Sequence, residues 1–147
     1  MLNIEGTTSK KLIAYIERVY DWLGLANYDA FYDVTFTSER LAGNAAGYCC
    51  GDEETIVIDI ARYDDVGRIP MKDMMINIAH ELVHAEQIVS GRLINRGFQF
   101  SRKKESKGEL VYAWTWEGKR YVNTKYSEQP WEIEAYEMEK KIYEVCR

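Results

Sequence analysis

The stretch "IPMKDMMINIAHELVHAEQIVSG", residues 69–91, is the longest helical pattern in the chain and holds both of its histidines. Pro70 suits a first helical turn, Asp73 favours the positive end of the helix dipole, and Gly91 suits the exit. Ile76, His80, Val83, His84 and Ile88 recur at spacings of three and four, so they share a stripe that faces the core. Glu86 and Gln87 lean outward on the same wheel. The H-E-x-x-H spacing sets two imidazoles one turn apart, able to grip a single Zn²⁺, with Glu81 placed as general base toward a metal-activated water. Two histidines scattered at random over 147 positions fall four apart in only about 1% of cases. The competing explanation is two core histidines hydrogen-bonded to backbone.

Two ligands do not hold a catalytic zinc, which takes three from the protein and leaves one position open. With no third histidine, the third donor must be a carboxylate or a thiolate. The closing segment "QPWEIEAYEMEKKIYEVCR" reads as a second long helix with Pro130 near its start and Trp131, Glu134, Ala135, Met138, Ile142 and Val145 on one face. Among its glutamates (Glu132, Glu134, Glu137, Glu139 and Glu144) only Glu134 sits squarely in that apolar stripe. A carboxylate aimed into a core costs on the order of several kcal/mol unless paired or metal-bound. Glu134 is therefore the expected third ligand, against the alternative of an ion pair with Arg or Lys. Glu137, beside the stripe, is expected to hold a histidine N–H from behind.

Around these helices the chain reads as one α+β domain over residues 1–147. Residues 9–23 form an amphipathic helix behind Thr and Ser caps, with Gly24 as its stop. "FYDVTFTS", "NAAGYCCG" and "TIVIDIA" are strand patterns. The separators "SERLAGN" and "GDEE" carry turn chemistry, so an antiparallel meander is the economical arrangement. "TIVIDIA" fits either an edge that receives a peptide beside the metal helix or a strand buried on both faces. The polar link from Gly91 to about Ser106 reads as a loop. "GELVYAWTWEGKRYVNTKY" reads as a hairpin around "EGK", whose Trp114 and Trp116 would wall the cleft and favour apolar side chains.

Composition excludes several classes. At 46% hydrophobic and 29% charged residues with two prolines, the chain is that of a globular protein, long enough to bury roughly 70% of its unfolded surface. It has no apolar run of the length a membrane span needs. Its opening residues do not read as a secretory signal. Cys49, Cys50 and Cys146 lack framework spacing, which argues for free thiols and a cytoplasmic address. Residues 1–91 carry 7 basic and 15 acidic side chains, whereas residues 92–125 carry 9 basic and 3 acidic. The basic island (Arg92, Arg96, Arg102, Lys103, Lys104, Lys107, Lys119, Arg120 and Lys125) could attract an acidic protein or nucleic acid, though a solvated hairpin explains it as well.

"HELVH" followed some fifty residues later by "WEIEAYEME" resembles the gluzincin pattern, in which the third zinc ligand is a glutamate just before a small residue on a downstream helix. Glu134–Ala135 matches that position. The order of helix, short sheet, "TIVIDIA" strand and HExxH helix, over about residues 30–140, is similar to the compact zincin-like domain of SprT-like proteins and of small phage-encoded metallopeptidase domains. That resemblance implies an α+β fold with a small, mostly antiparallel sheet packed on the HExxH helix between N- and C-terminal helices. It implies zinc-dependent hydrolysis of a peptide or protein substrate, with His80, His84 and Glu134 as ligands and Glu81 as base. A neutral donor must steady the oxyanion, and among Tyr112, Tyr121, Tyr126 and Tyr136 we select Tyr126, just ahead of the ligand helix. The alternative function is a non-catalytic, zinc-stabilised binding module that engages nucleic acid or an acidic protein through residues 92–125.

Overall fold

A computed structural model describes residues 1–39, 41–101 and 103–147. Arg102, one member of the basic island, lies outside the described residues. The element order is β1 (Leu2–Glu5), α1 (Lys10–Trp22), β2 (Phe31–Thr37), β3 (Gly47–Gly51), β4 (Thr55–Ala61), α2 (Met71–Val89), β5 (Leu93–Phe100), β6 (Leu110–Trp116), β7 (Lys119–Val122) and α3 (Pro130–Cys146). The protein is α+β, with three helices and two small sheets. No helix among the described residues is long and apolar enough to cross a membrane.

Local chemistry sets the helix ends as the sequence predicts. Ser9 caps α1, its hydroxyl accepting from the Leu12 amide, which satisfies one of the orphan N–H groups of a first turn. Pro70 precedes α2, and Gly91 leaves it with a φ of 80°, a conformation in which a Cβ would be strained.

The first sheet departs from the expected meander. Its order is β1-β2-β4-β3, with β1 parallel to β2 and β2 parallel to β4; only β3 and β4 run antiparallel. "GDEE" is a true hairpin turn, with the Asp52 carboxylate accepting from the Glu54 and Thr55 amides. The link from β2 to β3 instead takes the chain past the β4 position to the far edge; Arg40 of "SERLAGN" lies outside the described residues. Turn residues reveal that a chain bends, not which strand it meets next. "TIVIDIA" is thus the interior strand β4, with Ile56, Ile58 and Ile60 fully buried on one face but Val57 exposed on the other, and the edge strand beside α2 is β3.

The second sheet, β5-β6-β7, is antiparallel throughout. Its strand β5 occupies much of the segment expected to be a loop. The cause is a bulge between Asn95 and Gly97. Before it the odd-numbered residues Leu93 and Asn95 oppose Trp116 and Trp114; after it the even-numbered Phe98 and Phe100 oppose Tyr112 and Leu110. An extra residue breaks the period-two pattern that marks a strand in sequence.

The main core is built from one face of α1, from β2 and β4, and from the inner faces of α2 and α3, with Tyr15, Ile16, Tyr32, Ile78 and Leu82 fully buried. A satellite core of Leu93, Trp116 and Trp131 joins the second sheet to the start of α3. Together these cores hold α2 against α3, and the site lies in that seam.

Candidate metal centre

Both histidines of α2 point into the seam, and each is buried. Their Nε2 atoms stand 3.2 Å apart. A carboxylate from the first turn of α3 closes the triangle, but it belongs to Glu132: its Oε2 lies 3.1 Å from His80 Nε2 and its Oε1 2.9 Å from His84 Nε2. Ligand atoms held roughly 2.0–2.2 Å from a tetrahedral zinc stand about 3.3–3.6 Å from one another. Slight opening of the triangle would admit such an ion. His80, His84 and Glu132 are a group that could hold a metal ion.

The rear nitrogens fix what the front ones offer. His80 Nδ1 lies 2.8 Å from Glu139 Oε2, and His84 Nδ1 lies 2.7 Å from Gln87 Oε1. The Gln87 amide nitrogen donates to the Trp131 carbonyl at 2.9 Å and to Glu134 Oε1 at 3.2 Å, so its oxygen is the atom that faces His84. A carboxylate and an amide oxygen can only accept; each Nδ1 must therefore carry the hydrogen. In a neutral imidazole that leaves a lone pair on Nε2. Two such lone pairs and a carboxylate then converge on one point, which is unfavourable unless a cation or an added proton sits among them. The titration behaviour reflects this crowding. Burial pulls His80 toward its neutral form, but Glu132, Glu81 and Glu139 outweigh it and raise its pKa. Burial likewise opposes ionisation of Glu132, yet His80 and His84 hold its carboxyl well below the usual range.

Glu134 is not the third donor. Arg92 grips both its oxygens, Nη1 to Oε2 at 3.0 Å and Nη2 to Oε1 at 2.8 Å. Arg92 also meets Glu86 at 2.6 Å and Glu117 at 3.4 Å, and lies over the Trp116 ring. The partner that stabilises this half-buried carboxylate is a guanidinium from the segment expected to be a loop. Glu137 is exposed and does not support a histidine; Glu139, one turn beyond Tyr136, does so. Gln87 is fully buried rather than outward-facing. One signal in the sequence could have found the site: Glu132, Tyr136 and Glu139 recur at spacings of four and three, the same period as His80, His84 and Gln87.

Glu81 is buried beside the histidines under β3. Gly47 of that strand makes room for it: a Cβ there would stand 2.8 Å from Glu81 Cγ and 2.9 Å from Oε1. Burial raises the Glu81 pKa above the usual carboxylate value, although His84 and His80 pull against that shift. Cys49, on the same face of β3, stays a thiol, because burial and then the Glu81 carboxylate push its pKa well up. The cysteines are free.

The Tyr126 hydroxyl donates to Glu132 Oε2 at 2.8 Å and lies 3.2 Å from the Tyr136 hydroxyl. Burial, then Tyr136 and Glu132, keep it firmly protonated. The Tyr136 ring packs edge-on to His80 with centroids 4.8 Å apart. Trp116 is buried against Trp131 and so belongs to the satellite core; Trp114 stacks on the same indole. Within the basic island, Arg92 is neutralised by three carboxylates. Arg96 and Arg120 hydrogen-bond to Thr115 and Gln99.

No family model, curated protein or solved structure matches this chain.

Proposed function

We propose that the protein is a zinc-dependent peptidase whose ligands are His80, His84 and Glu132. The observation that carries this reading is the convergence of three lone-pair donors with both histidine tautomers fixed from behind by Glu139 and Gln87. Two imidazole nitrogens and a carboxylate form a donor set that suits Zn²⁺. A bound zinc supplies Lewis acidity toward water and a scissile carbonyl.

The remaining steps belong to the chain's own groups. Glu81 accepts the proton of the attacking water and returns it to the leaving amine. A carboxylate whose pKa is raised by burial holds a proton between those steps more readily than an exposed one. Tyr136 donates its O–H toward the developing oxyanion, because the single hydroxyl hydrogen of Tyr126, the residue expected in that role, is held by Glu132. The peptide lies along β3, the edge strand that bears Gly47 over Glu81, and pairs with it by strand addition.

Elemental analysis of the purified protein should find about one zinc per chain. Glu81→Gln should keep that zinc and lower kcat by at least about 100-fold against a peptide mixture. Full hydrolysis by Glu81→Gln, or a wild-type protein indifferent to zinc, overturns the reading.

A further inference from the structure

The second sheet exposes an apolar face that leads into the cleft. Its register sets Phe98 opposite Tyr112 and Phe100 opposite Leu110, on the same face as Trp114. Phe98, Phe100 and Leu110 are 69%, 71% and 61% exposed. Contiguous apolar patches of this kind mark interaction surfaces rather than ordinary protein exterior. The rings form a row: Phe98 to Tyr112 at 5.0 Å, Tyr112 to Trp114 at 5.7 Å, Trp114 to Trp131 at 5.4 Å. Trp131 directly precedes Glu132. The row therefore runs from the exposed face of the sheet to the metal centre, which it reaches through Trp131. Beyond Phe100 the exposed chain carries Lys103, Lys104 and Lys107 against Glu105 and Glu109, a small basic excess at the outer end.

We propose that Phe98, Phe100, Leu110 and Tyr112 form a secondary docking platform for the peptide substrate, taking aromatic or large aliphatic side chains remote from the scissile bond, with acidic residues beyond them facing the lysines. This inference rests on the peptidase reading and names its substrate class. The row spans three ring-to-ring steps, or roughly five residues of extended chain at about 3.3 Å each. Exposed rings on a sheet can also stack nucleic-acid bases. Here, however, the inner end of the cleft carries Glu81, Glu132 and Glu139, which repel phosphates, while Arg96 and Arg120 are bonded to Thr115 and Gln99 on the sheet's other face.

The test uses zinc-loaded Glu81→Gln protein, a displayed library of random 12-residue peptides and a 20-residue oligothymidine. Enriched peptides should carry Phe, Tyr, Trp or Leu with Asp or Glu to one side. They should bind about 10-fold or more weakly to the Phe98→Ser/Phe100→Ser double variant, whose changes are at exposed positions and should leave Tm in place. In the catalytically intact protein the same pair should raise KM about 10-fold, with kcat carrying the smaller change. Peptide binding that depends on Phe98 and Phe100 in a wild type that never cleaves supports the platform and removes the peptidase reading. Cleavage and binding that ignore the double variant remove the platform and leave the peptidase. No enrichment, or displacement of the peptides by oligothymidine, also overturns the platform.

Discussion

Glu132 and Glu134 stand two residues apart on α3 and meet opposite surroundings. Glu134 faces Arg92, so the chain itself supplies the cation that stabilises it. Glu132 faces two imidazoles whose Nδ1 hydrogens are already committed to Glu139 and Gln87. Among the described residues no Lys or Arg pairs with Glu132; beyond the Tyr126 hydroxyl, its stabilisation comes from the imidazoles, through a proton or a metal ion held between them. A buried carboxylate alone does not indicate a ligand; the nature of its partner does.

The contrast can be broken most directly by exchanging which glutamate is lost. Glu132→Ala should weaken zinc binding by more than about 100-fold, beyond the 10–100-fold typical of losing a supporting residue. Glu134→Ala should leave binding nearly unchanged; competition against a chromophoric chelator reads both. Equal losses would erase the distinction. Removing the supports should have the next largest effect: Glu139→Ala and Gln87→Leu should each weaken zinc about 10–100-fold, because the imidazoles lose their fixed tautomer. Gly47→Ala sharpens the comparison from the strand side. Its methyl group would displace Glu81, lowering kcat about 10-fold while bound zinc stays constant. The smallest effect belongs to the Arg92 side. Arg92→Met should lower Tm by a few degrees and spare the metal. Glu134 titrates below its ordinary value: burial raises its pKa, but Arg92 and Gln87 outweigh that. A lowered folded pKa stabilises above the unfolded value of about 4.3 and loses that contribution as pH falls through the folded one. The Tm gap between wild type and Arg92→Met should therefore narrow on acidification.

These cases also separate what was legible in the sequence from what was not. The helix bearing His80 and His84 was readable because caps, period and motif all agree over one continuous segment. The helix that carries Glu132 was readable too, but not which of its carboxylates turns inward. Glu134 resembled a misplaced charge because Arg92, its partner, lies 42 residues away at the bend before β5. The strand that follows Arg92 was hidden separately, by a bulge that shifts the alternation of β5 by one residue. Likewise β2 and β4 were visible as strands, whereas their parallel pairing depends on a crossover that leaves no local mark. Long-range partners decided which carboxylate faces the histidines; the matched spacing of Glu132, Tyr136 and Glu139 marks a face of the helix but not what packs against it.

Trp131 ties these distant parts together. Its indole is clasped by Trp114, Trp116 and Tyr121, while its carbonyl accepts from the amide that orients His84. If the centre binds an ion as proposed, occupancy and the seating of the hairpin would be linked through this one residue. A chelator would then loosen the β5–β7 ribbon, and a segment clamped against that ribbon would tighten the hold on the ion.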